Sequence, residues 1–239
     1  GNTNIVFAVF SDTGEIVALP AMTLSRADRK PQIDGRLNDW QNANVHAIPS
    51  TNIWSGALPG GDADCSAVAR VSYDNEYLYV AVEVTDDEVV RNIPPDDVKA
   101  PWRSDAVEIC IDLSGHSEES TLATFKTGIF PGTTEGPEAR AMRDADAHQG
   151  VIEETAPGKR VASQPTDAGY IVETAIAWKD VPGGRSPASG HTIGLNIIVY
   201  DGDDAQAGPG ANIGKARLGW SYHRNAQVLP YHYGRAIVE

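Results

Sequence analysis

Trp102 follows Pro94-Pro95 and Pro101 and stands just before an alternating apolar stretch, so a proline-stiffened loop presents its indole at the start of a strand. A ring held that way offers a flat face to the C–H groups of a pyranose and keeps its N–H available for a hydrogen bond. Glu108 lies in that stretch, between Val107 and Ile109, with Ile111 in the same apolar series. Its carboxylate therefore leaves the strand on the face away from the core, where it can accept two hydroxyl hydrogen bonds strengthened by charge. Asp112 shares the Glu108 face, but two acids on one strand are common surface chemistry and no catalytic motif accompanies them, so no enzyme is expected. Asp86, Asp105 and Asp201 with Asp203 fall at the ends of predicted strands. Loops converging there can gather the oxygens, about six to eight, that a calcium ion takes, although none of the four belongs to an EF-hand pattern. The histidines at 46, 116, 148, 191, 223 and 232 show no metal-ligand spacing. Cys65 and Cys110 match no zinc or redox spacing and are expected to be free, buried thiols.

These residues need strands to hold them. Ala67 to Thr85 alternates, with Ala67, Ala69, Val71 and Tyr73 on one face and Val68, Arg70 and Ser72 on the other. After the turn Asp74-Asn75-Glu76, Leu78, Val80, Val82 and Val84 share a side, which predicts a β-hairpin. Further strands are expected at Asp105 to Leu113, Leu122 to Phe130, Arg160 to Gln164, Tyr170 to Ala177, Thr192 to Tyr200, Ala216 to Tyr222 and Gly234 to Val238. Many short strands separated by Gly, Pro and Asp clusters indicate an all-β protein, an antiparallel β-sandwich with long loops. Asn4 to Leu19 reads as an extra edge pair around Asp12-Thr13-Gly14, and the polar stretch Pro131 to Gly150 as a long exposed loop.

The 239 residues are 41% hydrophobic, enough to bury the core of one sandwich domain. The 33 acidic residues outnumber 19 basic ones, and the net charge of −14 excludes nucleic acid and anionic membranes as natural partners while suiting hard cations and neutral ligands. No apolar run has the length of a membrane span. No signal segment opens the chain as given.

The order of motifs resembles the family 9 carbohydrate-binding modules. The segments that carry the resemblance are Pro31-Gln32-Ile33-Asp34-Gly35-Arg36-Leu37-Asn38-Asp39-Trp40, Leu78 to Asp87, Trp102 to Asp112, Gly169 to Glu173 with Trp178, and Ile193 to Asp201. The likeness implies a jelly-roll-like sandwich over residues 31–239; residues 1–30, outside it, are read as an N-terminal extension that adds an edge hairpin. It also implies structural Ca2+ and secretion to an extracellular or periplasmic space, with the module appended to catalytic domains of a larger polysaccharide-degrading protein. The ligand would be a polysaccharide or oligosaccharide. By the same resemblance Trp102 is the stacking ring, Glu108 the sugar-contacting carboxylate, and Lys126 stands where the family has an Arg, keeping the charge without the planar fork. Asn196 belongs to the contact set, but the Gln expected two residues on is Ile198. The second clamp Trp is missing before Gly234, which leaves Tyr231, His232 or Tyr233 as a substitute ring, and Trp220 is read as core or rim. Two alternatives stay open: a haem-binding sandwich of a secreted electron-transfer protein, and a spacer or docking domain without a sugar site.

Overall fold

A computed structural model of the chain describes residues 7–11, 13–41, 43–118, 123–143 and 160–239. Two largely antiparallel sheets face each other across one apolar layer. The smaller has five strands in the order β11 (Arg160–Thr166), β12 (Gly169–Ala177), β7 (Tyr77–Asp86), β6 (Cys65–Tyr73), β4 (Asn44–Ile48). The larger runs β10 (Arg140–Arg143), β9 (Thr124–Phe130), β8 (Ala106–Asp112), β13 (Thr192–Asp201), β14 (Ala216–Gly219), β5 (Ile53–Gly56). To it β15 (Gly234–Val238) adds beside β13, and β3 (Ala21–Leu24) adds parallel to β15.

Alternation explains the central layer. Ala67, Ala69, Val71 and Val80, Val82, Val84 of the hairpin point inward against Val107, Ile109 and Ile111 of β8 and Leu195, Ile197 and Val199 of β13. The hairpin turn is closed by Asp74, whose Oδ1 accepts the N–H groups of Glu76 and Tyr77 at 2.7 and 2.8 Å. Trp220 and Trp178 both belong to this core.

Glu173 fastens the Asp34-Gly35 turn to the outer face of β12. Its carboxylate accepts N–H bonds from Asp34 (2.9 Å), Gly35 (2.6 Å) and the indole of Trp40 (2.6 Å). Gly35 has φ +82° and a Cβ there would stand 2.9 Å from the Ser163 backbone, so only glycine fits. Glu173→Ala leaves three donors without their acceptor at about 1–3 kcal/mol for each group stranded. We expect a loss of at least about 3 kcal/mol in urea unfolding, and an unchanged midpoint would contradict this role for the carboxylate.

Residues 131–143 are not all exposed loop: Thr134, Glu135, Pro137 and Glu138 are exposed, but β10 pairs with β9, and Ala139 and Ala141 reach the central core. Residues 144–150 of that stretch lie outside the described residues. The sandwich begins before residue 31, since β3 pairs with β15, while β1 (Phe7–Phe10) and β2 (Ile16–Leu19) form a separate two-stranded ribbon. Cys65 and Cys110 are buried thiols not joined by a disulfide, one in the central layer and one on the other side of the larger sheet.

Candidate functional site

The outer face of the larger sheet carries the chemistry. In β8 the side chains alternating with the core set are Glu108, Cys110 and Asp112, and the register places Glu108 between Ile198 of β13 and Gly128 of β9. Cys110 stands between Asn196 and Lys126. The face is a second apolar layer built from Ile93, Val98, Ala106, Phe130, Ile198, Tyr200 and Tyr233, with Trp54, Trp102 and Met142 packed against it.

Within this layer lies a charged pair. Lys126 Nζ is 3.3 Å from Glu108 Oε1, and the two side chains are 1% and 0% exposed. Tyr200 donates its hydroxyl to Glu108 Oε2 at 2.6 Å, and Gln227 Nε2 donates to the Tyr200 oxygen at 2.7 Å and reaches Glu108 Oε2 at 3.4 Å. Glu108 therefore leaves the strand on the expected face but does not meet solvent there. The alternation of β8 fixed the direction of the side chain, whereas the second layer over it comes from irregular segments that no periodicity announces.

Trp102 sits in the single turn Pro101–Arg103, which enters through Ala100 at φ 56°. Pro101 rests on the sheet at Gly128, where a Cβ would stand 2.7 Å from the proline ring, so the turn lies beside Glu108's cross-strand neighbour. Arg103 pins the turn by donating to Asp97 Oδ2 at 2.9 Å and to the Asp97 carbonyl at 2.6 Å. The indole is half-buried, packing one side on the second layer.

Asn196 is wholly buried and its amide is engaged internally. It donates to the Ser221 carbonyl (3.0 Å) and accepts from the N–H groups of Ser221 (2.8 Å) and Ile197 (3.0 Å). These bonds fasten the segment after β14 to β13. Tyr231 is partly exposed in a surface cleft of about 630 Å³ shared with Phe10, His116, Glu118, Leu229 and Arg235.

The acidic residues converge at one end of the sandwich. Carboxylate oxygens of Asp86, Asp105 and Asp201 lie within 4.8 Å of one another, and Asp64, Asp201 and Asp203 form a second such group. β7 belongs to the smaller sheet and Asp105 and Asp201 flank β8 and end β13 in the larger, so the cluster bridges the two layers. Asp105 accepts N–H bonds from Val90 and Gly202. Asp201 is 1% exposed and neither of its carboxylate oxygens has a hydrogen-bond donor. Burial, followed by Asp203 and Asp86, pushes its pKa up to about 7. Burial likewise lifts Asp86 to about 6, with Asp203 and Asp87 adding, and raises Asp105 well above the carboxylate range, with Asp86 adding. Lys215 answers part of this charge through Asp64 and Asp203. A buried carboxylate with no donor, surrounded by oxygen ligands of like charge, fits a hard divalent cation.

A profile of the family described as "Carbohydrate family 9 binding domain-like" matches residues 33–237. The chain belongs to this family. The family 9 sandwich is also seen in the fold comparison. A family 9 carbohydrate binding module from Caldicellulosiruptor kristjanssonii in complex with cellotriose superposes with a TM-score of 0.64 at 18% identity, covering 92% of this chain and 93% of that one. The complex of such a module from the same organism with glucose gives 0.62 at 19% identity, covering 92% and 95%. Among curated proteins, exoglucanase XynX of Acetivibrio thermocellus is 31% identical over 193 residues, 80% of this chain. Endo-1,4-beta-xylanase A of Thermotoga neapolitana is 29% identical over 177 residues, 73% of this chain. The chain spans only 15% and 14% of those two relatives.

Of the sequence-selected residues, the family 9 fold thus brings Trp102, Glu108 and Lys126 to one face and Asp86, Asp105, Asp201 and Asp203 to one end. Sequence reading passed over Tyr200, Gln227 and Asp64. Tyr200 shares the period-2 face of Asn196 and Ile198 and was legible from that alternation; Gln227 and Asp64 lie in irregular segments with no local signal. No helix among the described residues is long and apolar enough to cross a membrane.

Proposed function

We propose that this chain is a non-catalytic carbohydrate-binding module of a larger, secreted polysaccharide-degrading protein, with sugar stacked on Trp102 and hydrogen-bonded by Glu108 and Lys126. The observation that carries this reading is the charged pair itself. A buried ion pair costs about as much in lost hydration as its attraction returns, so an apolar layer gains little by holding one. Here it lies next to the seat of the Trp102 turn, on a sheet face outside the central core. Gln227 donates to the Tyr200 hydroxyl and approaches Glu108, the place a sugar hydroxyl takes in this reading, so ligand entry displaces Gln227. Tyr231 is the candidate second ring, and a calcium ion held by Asp86, Asp105 and Asp201, with Asp203 beside them, braces the sandwich. Membership of the family supports the sugar, and the xylanase and exoglucanase relatives support the larger secreted context.

The test is a panel of neutral oligosaccharides, including cello- and xylo-oligomers, read by calorimetry. With one half-buried aromatic platform, dissociation constants between about micromolar and millimolar are expected, roughly −8 to −4 kcal/mol. Trp102→Ala, checked for folding by circular dichroism, should lose most of that affinity. The burial of Glu108 and Lys126 favours a second reading, a spacer or docking domain whose face is closed, and a wild-type protein that binds nothing on the panel would select it.

A further inference from the structure

The segment that lays Gln227 over the charged pair is bracketed by two histidines which the sugar reading does not use. His223 Nδ1 and His232 Nδ1 stand 3.1 Å apart, and the Arg224 carbonyl oxygen is 3.0 Å from the first and 3.1 Å from the second. The rings approach to 4.1 Å between centroids at 59°. Two imidazole nitrogens and a carbonyl oxygen thus form a nearly equilateral triangle.

No protonation state of neutral imidazoles suits all three edges. If both nitrogens carry a proton, both donate to the carbonyl and two N–H dipoles oppose each other along the N···N edge. If only one does, the other presents its lone pair to a carbonyl lone pair at hydrogen-bond distance. A cation shared by the three atoms removes the conflict. An equilateral triangle of that size has its centre about 1.8 Å from each corner, so an ion at the usual Zn–N distance of about 2.0–2.1 Å would sit about 1 Å above its plane.

We propose that His223, His232 and the Arg224 carbonyl form a three-point site for a divalent transition-metal ion of the imidazole-selecting class, such as zinc, copper(II), nickel or cobalt. His232 is buried and anchors the site, while the partly exposed His223 opens it to solvent and leaves further coordination positions to water. The ion ties together the two ends of the residue 223–232 segment and so holds Gln227 in place. The site is independent of the acidic cluster, whose oxygen ligands select a different kind of ion. The spacing of eight intervening residues matches no common motif, and only the folded segment brings the two rings together.

Tag-free, metal-stripped full chain in excess calcium, which fills the acidic cluster, is titrated with zinc by calorimetry while the histidine ring nitrogens are followed by NMR. One zinc equivalent should bind and move two Nδ1 signals. His223→Gln should weaken binding at least about tenfold, the loss seen even when only a supporting partner of a metal ligand is removed. His232→Gln should do the same, and since that residue is buried, the partly exposed His223 variant keeps the test decisive if His232→Gln fails to fold. Zinc that moves only other histidine signals, binds His223→Gln as tightly as wild type, or fails to bind the wild type would overturn the site.

Discussion

In EDTA the protein should melt at a higher temperature at pH 5 than at pH 8, and millimolar calcium should raise the melting temperature more at pH 8 than at pH 5. Without metal, Asp86 and Asp201 have folded pKa values of about 6 and 7, and Asp105 is raised as well, against an ordinary value of 3.8. The folded state then binds more protons than the unfolded state between about pH 4 and 7, so its stability falls as pH rises through that window. His46 works in the opposite direction. Burial lowers its pKa, so its contribution is lost as pH falls through the ordinary histidine value, but it is one group against four, since burial raises Glu173 as well. Asp62, Asp64, Asp74 and Asp97 are held below the usual carboxylate range and remain ionised at pH 5. Calcium requires the deprotonated carboxylates, so its effect is largest at pH 8 and fades as protons compete. At a hundredfold excess over its dissociation constant it contributes about 2.7 kcal/mol, or about 5–10 °C for a chain of this length. Asp201→Asn should raise the melting temperature in EDTA at pH 8 and abolish the calcium response. Identical melts in EDTA and calcium at both pH values would remove the ion from this account.

The second large effect is expected at the charged pair. Lys126→Met takes away the ammonium that faces Glu108 and leaves a carboxylate in an apolar layer, a loss of about 3–5 kcal/mol. Glu108→Gln combined with Lys126→Met should recover most of that, because a neutral amide can keep the Tyr200 contact and an apolar side chain replaces the lysine. Chemical unfolding of wild type, both single variants and the double variant closes the cycle. Additive losses would mean that the two charges do not act as a pair.

The sandwich was legible where one face of a strand is apolar and the other is not. The hairpin of β6 and β7 and the strand β8 announce themselves through Ala67, Val80, Val107 and their period-2 companions. β10 does not, because Ala139 and Ala141 are too small to stand out among glycines, prolines and charges, yet they are buried once β9 lies beside them. β3 is only four residues long and gains its place through parallel pairing with β15 at the far end of the chain. The candidate site was half legible for the same reason. Alternation tells which side of β8 Glu108 takes, but whether that side meets water depends on residues such as Val98, Gln227 and Tyr233, which come from irregular segments distant in sequence. The aspartates were found at strand ends, while Asp64 joins them only because its loop folds back toward Asp201.

The central claim is that Trp102 and the pair beneath it form a sugar site. It is tested most directly by titrating the best oligosaccharide of the panel into wild type and into folded Trp102→Ala in the same calcium buffer. The account predicts measurable heat and micromolar to millimolar affinity for wild type, and binding weakened by at least about tenfold, or about 1.4 kcal/mol, in the variant. Equal affinity for the two proteins would place the sugar elsewhere and contradict it.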